Sequence, residues 1–319
     1  MKTAIVGYGN IGSVHYEVLD KLGFDVCAVC DTDYKKIENL KINKYTDYIE
    51  MLERERLDVV HICTPHHLHA DMIINALERD VNVLSEKPLC IRQEDIERIL
   101  QAEKKSKAKL GVCHQNRYNP ENVFIKEYLK DKDVVSGHGQ VVWARGKEYY
   151  AQDAWRGKWN TEGGGVLINQ ALHTLDLMIW LLGEPVSVKA SLSNFSLKGV
   201  IEVEDTASLV CRGDGFDFTF YATNAGGKDY PVTVTVKTKD EKLEILNRKI
   251  IIDGKVREFE KDNKVYGKCC YGTGHQALFA DFYNCLKTGS PFDINGEEAS
   301  KVIKVILSAY EKNNKLKEN

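Results

Sequence analysis

The sequence predicts an α/β protein: an N-terminal doubly wound parallel sheet, then an α+β domain with a large, mostly antiparallel open sheet. Three observations predict it. Short apolar runs alternate with helical patterns over residues 1–118, which implies a parallel sheet with helices on both faces. The first of those runs ends in a glycine-rich turn with a helical pattern behind it. Over residues 186–260 strand-like runs dominate, and Asp214-Gly215 and Asp253-Gly254 between them are favoured two-residue hairpin turns. The expected division is a domain at 1–118 and a second at 119–319, with the last helix able to pack back on the first domain.

The opening run, Lys2-Thr3-Ala4-Ile5-Val6, reads as a buried strand, and Gly7-Tyr8-Gly9-Asn10-Ile11-Gly12 follows it. Ile11, His15, Val18, Leu19 and Leu22 then recur at helical spacing. A second strand at 24–30 ends at Asp31, nineteen residues past Gly12. Each part has a job in holding a dinucleotide. Gly7 allows a tight turn, Gly9 lets the backbone approach a pyrophosphate, and Gly12 lets helix and strand pack closely. The N–H groups at Asn10, Ile11 and Gly12 face the phosphates, and Asp31 accepts hydrogen bonds from the ribose diol. A carboxylate there repels a 2′-phosphate, so NAD is the expected cofactor. Thr32 and Lys35 keep NADP as the lesser alternative.

Thr46 is placed to cap a short helix through Leu52. Further strands are expected at 59–63, 81–84 and 110–113. The helices between them carry Ile73, Ile74 and Leu77, then Ile96, Ile99 and Leu100 on one face. Ligands on such sheets bind beyond the carboxyl ends of the strands, so chemistry belongs in the loops after Val6, Cys30, Cys63, Leu84 and Cys113. Past Pro120 the pattern changes. Val123, Ile125 and Leu129 mark one helix, 139–143 a strand, and 165–182 a long helix. Two helices, 276–286 and 297–312, close the chain, and the last eight residues are expected to fray. The two halves are expected to pack with a cleft between them.

The 319 residues suffice for two domains and a sizeable core. Net charge is −3 from 44 basic and 47 acidic residues, so no bulk charge draws the chain to nucleic acid or a membrane. The first strand begins at Lys2, which leaves no room for a signal peptide, and no apolar run is long enough to span a bilayer. Nine cysteines is an odd count. Cys27, Cys30, Cys63 and Cys113 sit in expected buried strands and read as reduced thiols of a cytoplasmic protein. Cys27 and Cys30, three apart on a strand, point to opposite faces and do not form a chelating pair. Cys269-Cys270 falls in an expected loop with no assigned role.

Several segments carry residues fit for chemistry. Thr64-Pro65-His66-His67-Leu68-His69 follows a strand directly. Its histidines spread around a helix start, and no carboxylate or cysteine completes a metal set, so no metal is expected. The segment reads as a cofactor-lining loop, with Thr64, Pro65, His66 and His69 as contacts. Glu86-Lys87-Pro88 follows an inner strand and aims the Lys87 ammonium off the sheet's carboxyl edge. A lysine partly desolvated beside a cofactor ring suits proton transfer. In Gln115-Asn116-Arg117-Tyr118, the amide of Asn116 suits a carboxamide or hydroxyl partner. Arg117 suits a ligand or a structural ion pair equally.

The second half holds a richer segment, Gly163 to Asp176. Three glycines permit a close approach before a helix. Asn169, His173 and Asp176 at i, i+4 and i+7 share one face of that helix, and buried polar groups there need polar partners. Trp155-Arg156-Gly157, with Tyr149-Tyr150 upstream, reads as a sugar platform, a cofactor contact or core packing. His275, at the start of a late helix, reads as a cleft residue or a cap.

Together these segments resemble the Gfo/Idh/MocA oxidoreductases, the family of glucose–fructose oxidoreductase and inositol 2-dehydrogenase. The matching pieces are residues 7–12, 64–69, Glu86-Lys87-Pro88, Trp155-Arg156-Gly157 and 163–176, in the family's order. The resemblance implies NAD(P)-linked hydride transfer on a sugar, amino or uronic sugar, or cyclitol. It also implies a homodimer or homotetramer built on the open sheet. Lys87 and His173 match the family's catalytic lysine and histidine, and Asp176 a substrate-contacting acid; Asn169, Arg117 and Tyr150 join it on the substrate. Glu86, Lys87, Trp155 and Arg156 are expected near the cofactor. Two departures stand out: Asn169 where the family often has aspartate, and His66 where it often has asparagine. A redox-neutral enzyme that keeps its NAD, and a non-catalytic NAD-binding sensor, remain as alternative readings.

Overall fold

A computed structural model describes residues 1–259, 266 and 273–313. The chain divides into two compact units, 1–118 with 263–300, and 119–262 with 301–319.

The first unit is built on a six-stranded parallel sheet. Its elements run β1 (Lys2–Val6), α1 (Asn10–Lys21), β2 (Asp25–Cys30), β3 (Asn43–Tyr45), α2 (Tyr48–Arg54), β4 (Val59–Ile62), α3 (His69–Leu77), β5 (Asn82–Ser85), α4 (Gln93–Lys105) and β6 (Leu110–Val112). The strand order is β3-β2-β1-β4-β5-β6, so the order reverses beside β1, where ligands bind in such sheets. β1 and β4 are near-continuous apolar runs because helices cover both faces of the sheet, and Ile5 pairs with His61 across them. The cap of α2 is Asp47, not Thr46: the Asp47 carboxylate accepts from Glu50 N–H at 2.8 Å. α4 carries Glu94 and Asp95 in its first turn and Lys104 and Lys105 in its last, charges that suit the helix dipole.

A late stretch of chain completes this unit. Here α8 (Gly274–Thr288) packs on α1, and the Val112 N–H donates to Ile294 C=O at 2.9 Å. Tyr283 of α8 is fully buried; its ring stacks on Phe24 and its hydroxyl bonds Thr3 at 2.8 Å. Phe279 and Phe282 are equally buried, each worth roughly 1.5–3 kcal/mol of burial. The division between units falls within α9 (Gly296–Glu311).

The second unit carries α5 (Pro120–Tyr128), β7 (Val134–Val142), α6 (Lys147–Tyr150), α7 (Leu172–Leu182), β8 (Ser187–Ser193), β9 (Thr206–Arg212), β10 (Asp217–Thr223), β11 (Thr233–Thr238), β12 (Lys242–Leu246), β13 (Lys249–Ile252) and β14 (Lys255–Glu258). Its eight strands lie in the order β14-β13-β12-β11-β7-β10-β9-β8. β7 and β10 run parallel and every other pair is antiparallel. Both Asp-Gly pairs join paired strands, β9 to β10 and β13 to β14. Along β9 and β10 buried and open residues alternate, so Ala207, Leu209, Cys211, Phe218, Phe220 and Ala222 make the covered face.

The long helix expected from residue 165 begins only at Leu172. The preceding N–H groups are taken elsewhere: Gly165 and Leu167 donate to the Glu204 carboxylate at 2.9 and 3.0 Å, and Val166 to the Glu204 carbonyl at 3.1 Å. Asn169 therefore lies in the turn before α7, not on a helix face with His173 and Asp176. Among the described residues no helix is long and apolar enough to cross a membrane. Cys269 and Cys270 lie outside the described residues.

Candidate active site

The nucleotide end of the first unit is organised by two glycines and one acid. Gly7 has φ +83°, and a Cβ there would meet the Cys63 carbonyl oxygen at 2.6 Å. A Cβ on Gly12 would sit 2.0 Å from the Gly7 oxygen, so both positions are closed to any side chain. Gly9 differs: nothing lies within 4 Å of its Cβ position, and it caps α1 with no side-chain hydrogen bond. The opening turn of α1, with Asn10 exposed and Ile11 half-buried, thus keeps N–H groups for an anion. Asp31 directly follows β2 and is 8% exposed. Its carboxylate takes Tyr8 N–H at 2.7 Å and Asp33 N–H at 2.9 Å, with the Lys36 ammonium 3.5 Å away. That fixes an acceptor where a ribose diol arrives in this fold.

Thr64 and Pro65, half-buried, and the buried His66 follow β4 as the sequence expects. His69, expected on the cofactor, is instead fully buried, with Nδ1 on the Pro88 carbonyl at 2.7 Å and Nε2 on the Thr64 carbonyl at 2.8 Å. Burial lowers its pKa while the two carbonyls pull the other way. The ring is a strut between the loops after β4 and β5. The Lys87–Pro88 peptide is cis, and Lys87 is half-buried.

Glu86, also expected on the cofactor, points inward. One carboxylate oxygen meets His15 Nε2 at 3.1 Å and the other accepts Lys87 N–H at 3.3 Å. His15 Nδ1 meets His61 Nδ1 at 2.9 Å, His61 Nε2 meets Tyr283 Oη at 3.1 Å, and Tyr283 meets Thr3 at 2.8 Å. One donor–acceptor assignment satisfies every link: Thr3, Tyr283, His61 and His15 each donate to the next, ending on the Glu86 carboxylate. Burial pushes the Glu86 carboxyl up, but His15, His275 and Lys87 outweigh it and hold the pKa well below the usual carboxylate range. Burial lowers the His275 pKa to about 4, against the pull of Glu86. Ligand-type atoms of His15, Glu86, Cys113 and His275 lie within 4.8 Å of one another. Within that cluster His15 bonds the Glu86 carboxylate and His275 Nε2 lies 4.0 Å from it.

Asn116 is half-buried after β6. Its neighbour Arg117, expected on the substrate, is 4% exposed and bonds Glu298 at 2.8 Å. The structural ion pair is the reading that holds.

The candidate substrate groups of the second unit surround a tyrosine. Tyr149 Oη takes an N–H from Gln170 at 3.0 Å and another from Arg156. Arg156 lies over the rings of Tyr149 and Trp155 at 4.6 and 4.7 Å and bonds Asp153 at 2.9 Å. Tyr150, the tyrosine expected on the substrate, packs instead in a core with Leu197, Ile201 and Val203, its hydroxyl accepting from Asn224 at 2.8 Å. His173, half-buried, opens α7, and Asp176 is buried one turn on.

Gly164 and Gly165 make way for the protein's own atoms, one for the Tyr310 side chain and one for the Glu204 backbone. A Cβ on Gly164 would fall 2.0 Å from Tyr310 Oη, and one on Gly165 1.9 Å from the Glu204 oxygen. Tyr310 in turn donates to the Glu204 carboxylate at 2.9 Å. Burial pushes the Glu204 pKa up to about 7, opposed by the N–H groups of Leu167 and Gly165 and by Tyr310. Glu162, Glu204, Tyr310, His15 and His61 escaped the sequence reading. A buried Glu within or beside a glycine run was the available signal for the first.

Comparison with known proteins bears on both units. The family model described as "Oxidoreductase family, NAD-binding Rossmann fold" matches residues 1–114, and the GFO/IDH/MocA C-terminal domain matches 133–246. Inositol 2-dehydrogenase of Salmonella typhimurium is 28% identical over 193 residues, 58% of this chain and 55% of that enzyme. The chain thus spans about half the length of that curated relative. The rhizopine catabolism protein MocA of Rhizobium meliloti is 26% identical over 216 residues, 66% of this chain and 67% of that protein. The WlbA dehydrogenase of Bordetella pertussis, solved with NADH and UDP-GlcNAcA, shares the fold at TM-score 0.86 and 24% identity, covering 98% of this chain and 96% of that one.

Proposed function

The chain belongs to the GFO/IDH/MocA oxidoreductase family, whose first domain is an NAD-binding Rossmann fold, and from that premise we propose an NAD-dependent dehydrogenase. Its substrate is a secondary alcohol, or the matching ketone, of a sugar, an amino or uronic sugar, or a cyclitol. The observation that carries the reading is Lys87, half-buried on the loop after β5, in a unit whose Gly7, Gly9, Gly12 and Asp31 have the nucleotide geometry. NAD, when bound, supplies the acceptor for a hydride leaving the carbinol carbon.

This chain's residues do the rest. Asp31 holds the ribose, and the loops after β1 and β4 line the nucleotide. Lys87 and His173 are the two groups proposed to move the hydroxyl proton, with Asn169 and Asp176 orienting the ring. The buried Glu86 keeps a negative charge beside the Lys87 backbone and fixes the course of its loop. The relatives named inositol 2-dehydrogenase support a polyol substrate. The reading extends to a reduced cytoplasmic setting, which the free thiols of Cys27, Cys30 and Cys63 suit, and to self-association measurable by light scattering.

The test is Lys87→Met assayed with NAD and a panel of polyols. Turnover is expected to fall at least about a hundredfold while NADH fluorescence titration still reports binding. Near-normal turnover removes Lys87 from the chemistry. His173→Ala is expected to remove one limb of the pH–rate profile if the imidazole is the proton acceptor.

A further inference from the structure

Glu162, beside the candidate substrate groups, has no exposed surface. One carboxylate oxygen accepts the Gly157 N–H and closes the loop from 157 to 162. The other accepts from Asn169 Nδ2. The same Nδ2 lies 3.5 Å from Tyr149 Oη. An ionised carboxylate only accepts, so this contact decides which way the Asn169 amide is turned. With Nδ2 directed at Glu162, the opposite edge of the side chain is its carbonyl oxygen.

We infer that Glu162 is a positioning residue that makes Asn169 a hydrogen-bond acceptor, so that the group recognised by Asn169 is a donor, a hydroxyl or an ammonium. The inference deepens the proposed function and rests on its reading of Asn169 as a ring-orienting residue. A phosphate or carboxylate is disfavoured at that edge, because acceptor would meet acceptor. The pair also explains why residue 169 is an amide. An aspartate there would set two carboxylates in contact away from water, and one of them would hold a proton. The cation that interacts with Glu162 is Arg156. The other titratable groups facing Glu162 are Tyr149, Tyr150 and Tyr310, with Glu204 behind Tyr310.

The test uses the full chain in four forms: wild type, Asn169→Asp, Glu162→Gln, and the double variant. The first arm needs no substrate. Tm is followed from pH 5.5 to 8.5. Asn169→Asp is expected to lose several degrees relative to wild type across that range, as the proton shared by two carboxylates is lost. In the double variant the amide introduced at position 162 donates to the carboxylate introduced at 169, and the pH dependence should return to that of wild type. The surrounding Arg156 and tyrosines are common to all four forms, so the difference isolates the pair. An unchanged pH dependence in Asn169→Asp, or a double variant no nearer wild type, overturns the inference.

The second arm measures kcat and KM with NAD and myo-inositol, or whichever polyol of the panel wild type turns over best. Glu162→Gln frees the amide to turn, and KM should rise about tenfold with kcat within about threefold. The double variant keeps an acceptor at position 169 and should recover most of that loss. An unchanged KM in Glu162→Gln overturns the specificity role. Failure of wild type on every polyol counts against the dehydrogenase reading, and the Tm arm then judges the pair alone.

Discussion

At the scale of single residues, Gly164 leaves no room for a methyl group. Its φ of +152° suits glycine alone, and the Tyr310 hydroxyl occupies the space a Cβ needs. Gly164→Ala is expected to cost about 2–4 kcal/mol in urea unfolding, from backbone strain and overpacking together. Asp31 is the residue proposed to set cofactor choice. Asp31→Ser removes the charge that repels a 2′-phosphate and leaves Lys36, 3.5 Å away, as a partner for it. The ratio of kcat/KM for NADP over NAD should rise at least about tenfold, and an unchanged ratio argues against Asp31 as the discriminator. Local geometry was readable in the sequence: Gly12 packs against Gly7 across the turn between β1 and α1, and Asp31 accepts the Tyr8 N–H of that turn. Arg117, Tyr150 and His69 were not legible in that way. Each is satisfied by a partner that spacing does not reveal: Glu298 lies 181 residues from Arg117, Asn224 lies 74 from Tyr150, and His69 ends on a backbone carbonyl.

At the scale of elements, the late start of α7 teaches most. The apolar pattern from Val166 to Leu182 is genuine, and every one of Val166, Leu167 and Ile168 is buried. Periodicity cannot show that Glu204 has claimed the N–H groups of Gly165 and Leu167 before a helix can use them. The same carboxyl gives a pH prediction. Its folded pKa of about 7 stands above the ordinary glutamate value of about 4.3, so the folded state binds the proton more tightly than the unfolded chain. The stabilisation from that proton is complete below about pH 4 and is lost as pH rises through about 7. Tm of wild type should therefore fall between about pH 5 and 8. Glu204→Gln should lower Tm overall, since Gln offers one acceptor fewer to its donors, yet flatten that slope. A slope identical to wild type would show that another group controls it.

At the scale of the whole molecule, NAD is expected to stabilise the first unit by mass action. At about 100 times its Kd the gain is ~2.7 kcal/mol, a shift in Tm of about 5 °C or more, larger for NADH than for NADPH at equal concentration. The alternation of strands and helices made the parallel sheet legible, and the Asp-Gly turns announced the antiparallel one. The pattern allowed the last helix to pack back on the first unit; what it could not show was that α8, the helix before it, completes that unit. Amphipathic helices near the end of a chain look alike whichever unit they cover. That late completion has a cost in time. While the ribosome is still adding the second unit, Phe24 has no Tyr283 to stack on, and His61 and Thr3 lack the hydroxyl they bond. At about 5–20 residues per second, the nascent sheet waits some ten seconds or longer with that face uncovered. A fragment ending at 262 is frozen in the same state. It should be recovered in inclusion bodies, or held by chaperones, and should bind no NADH.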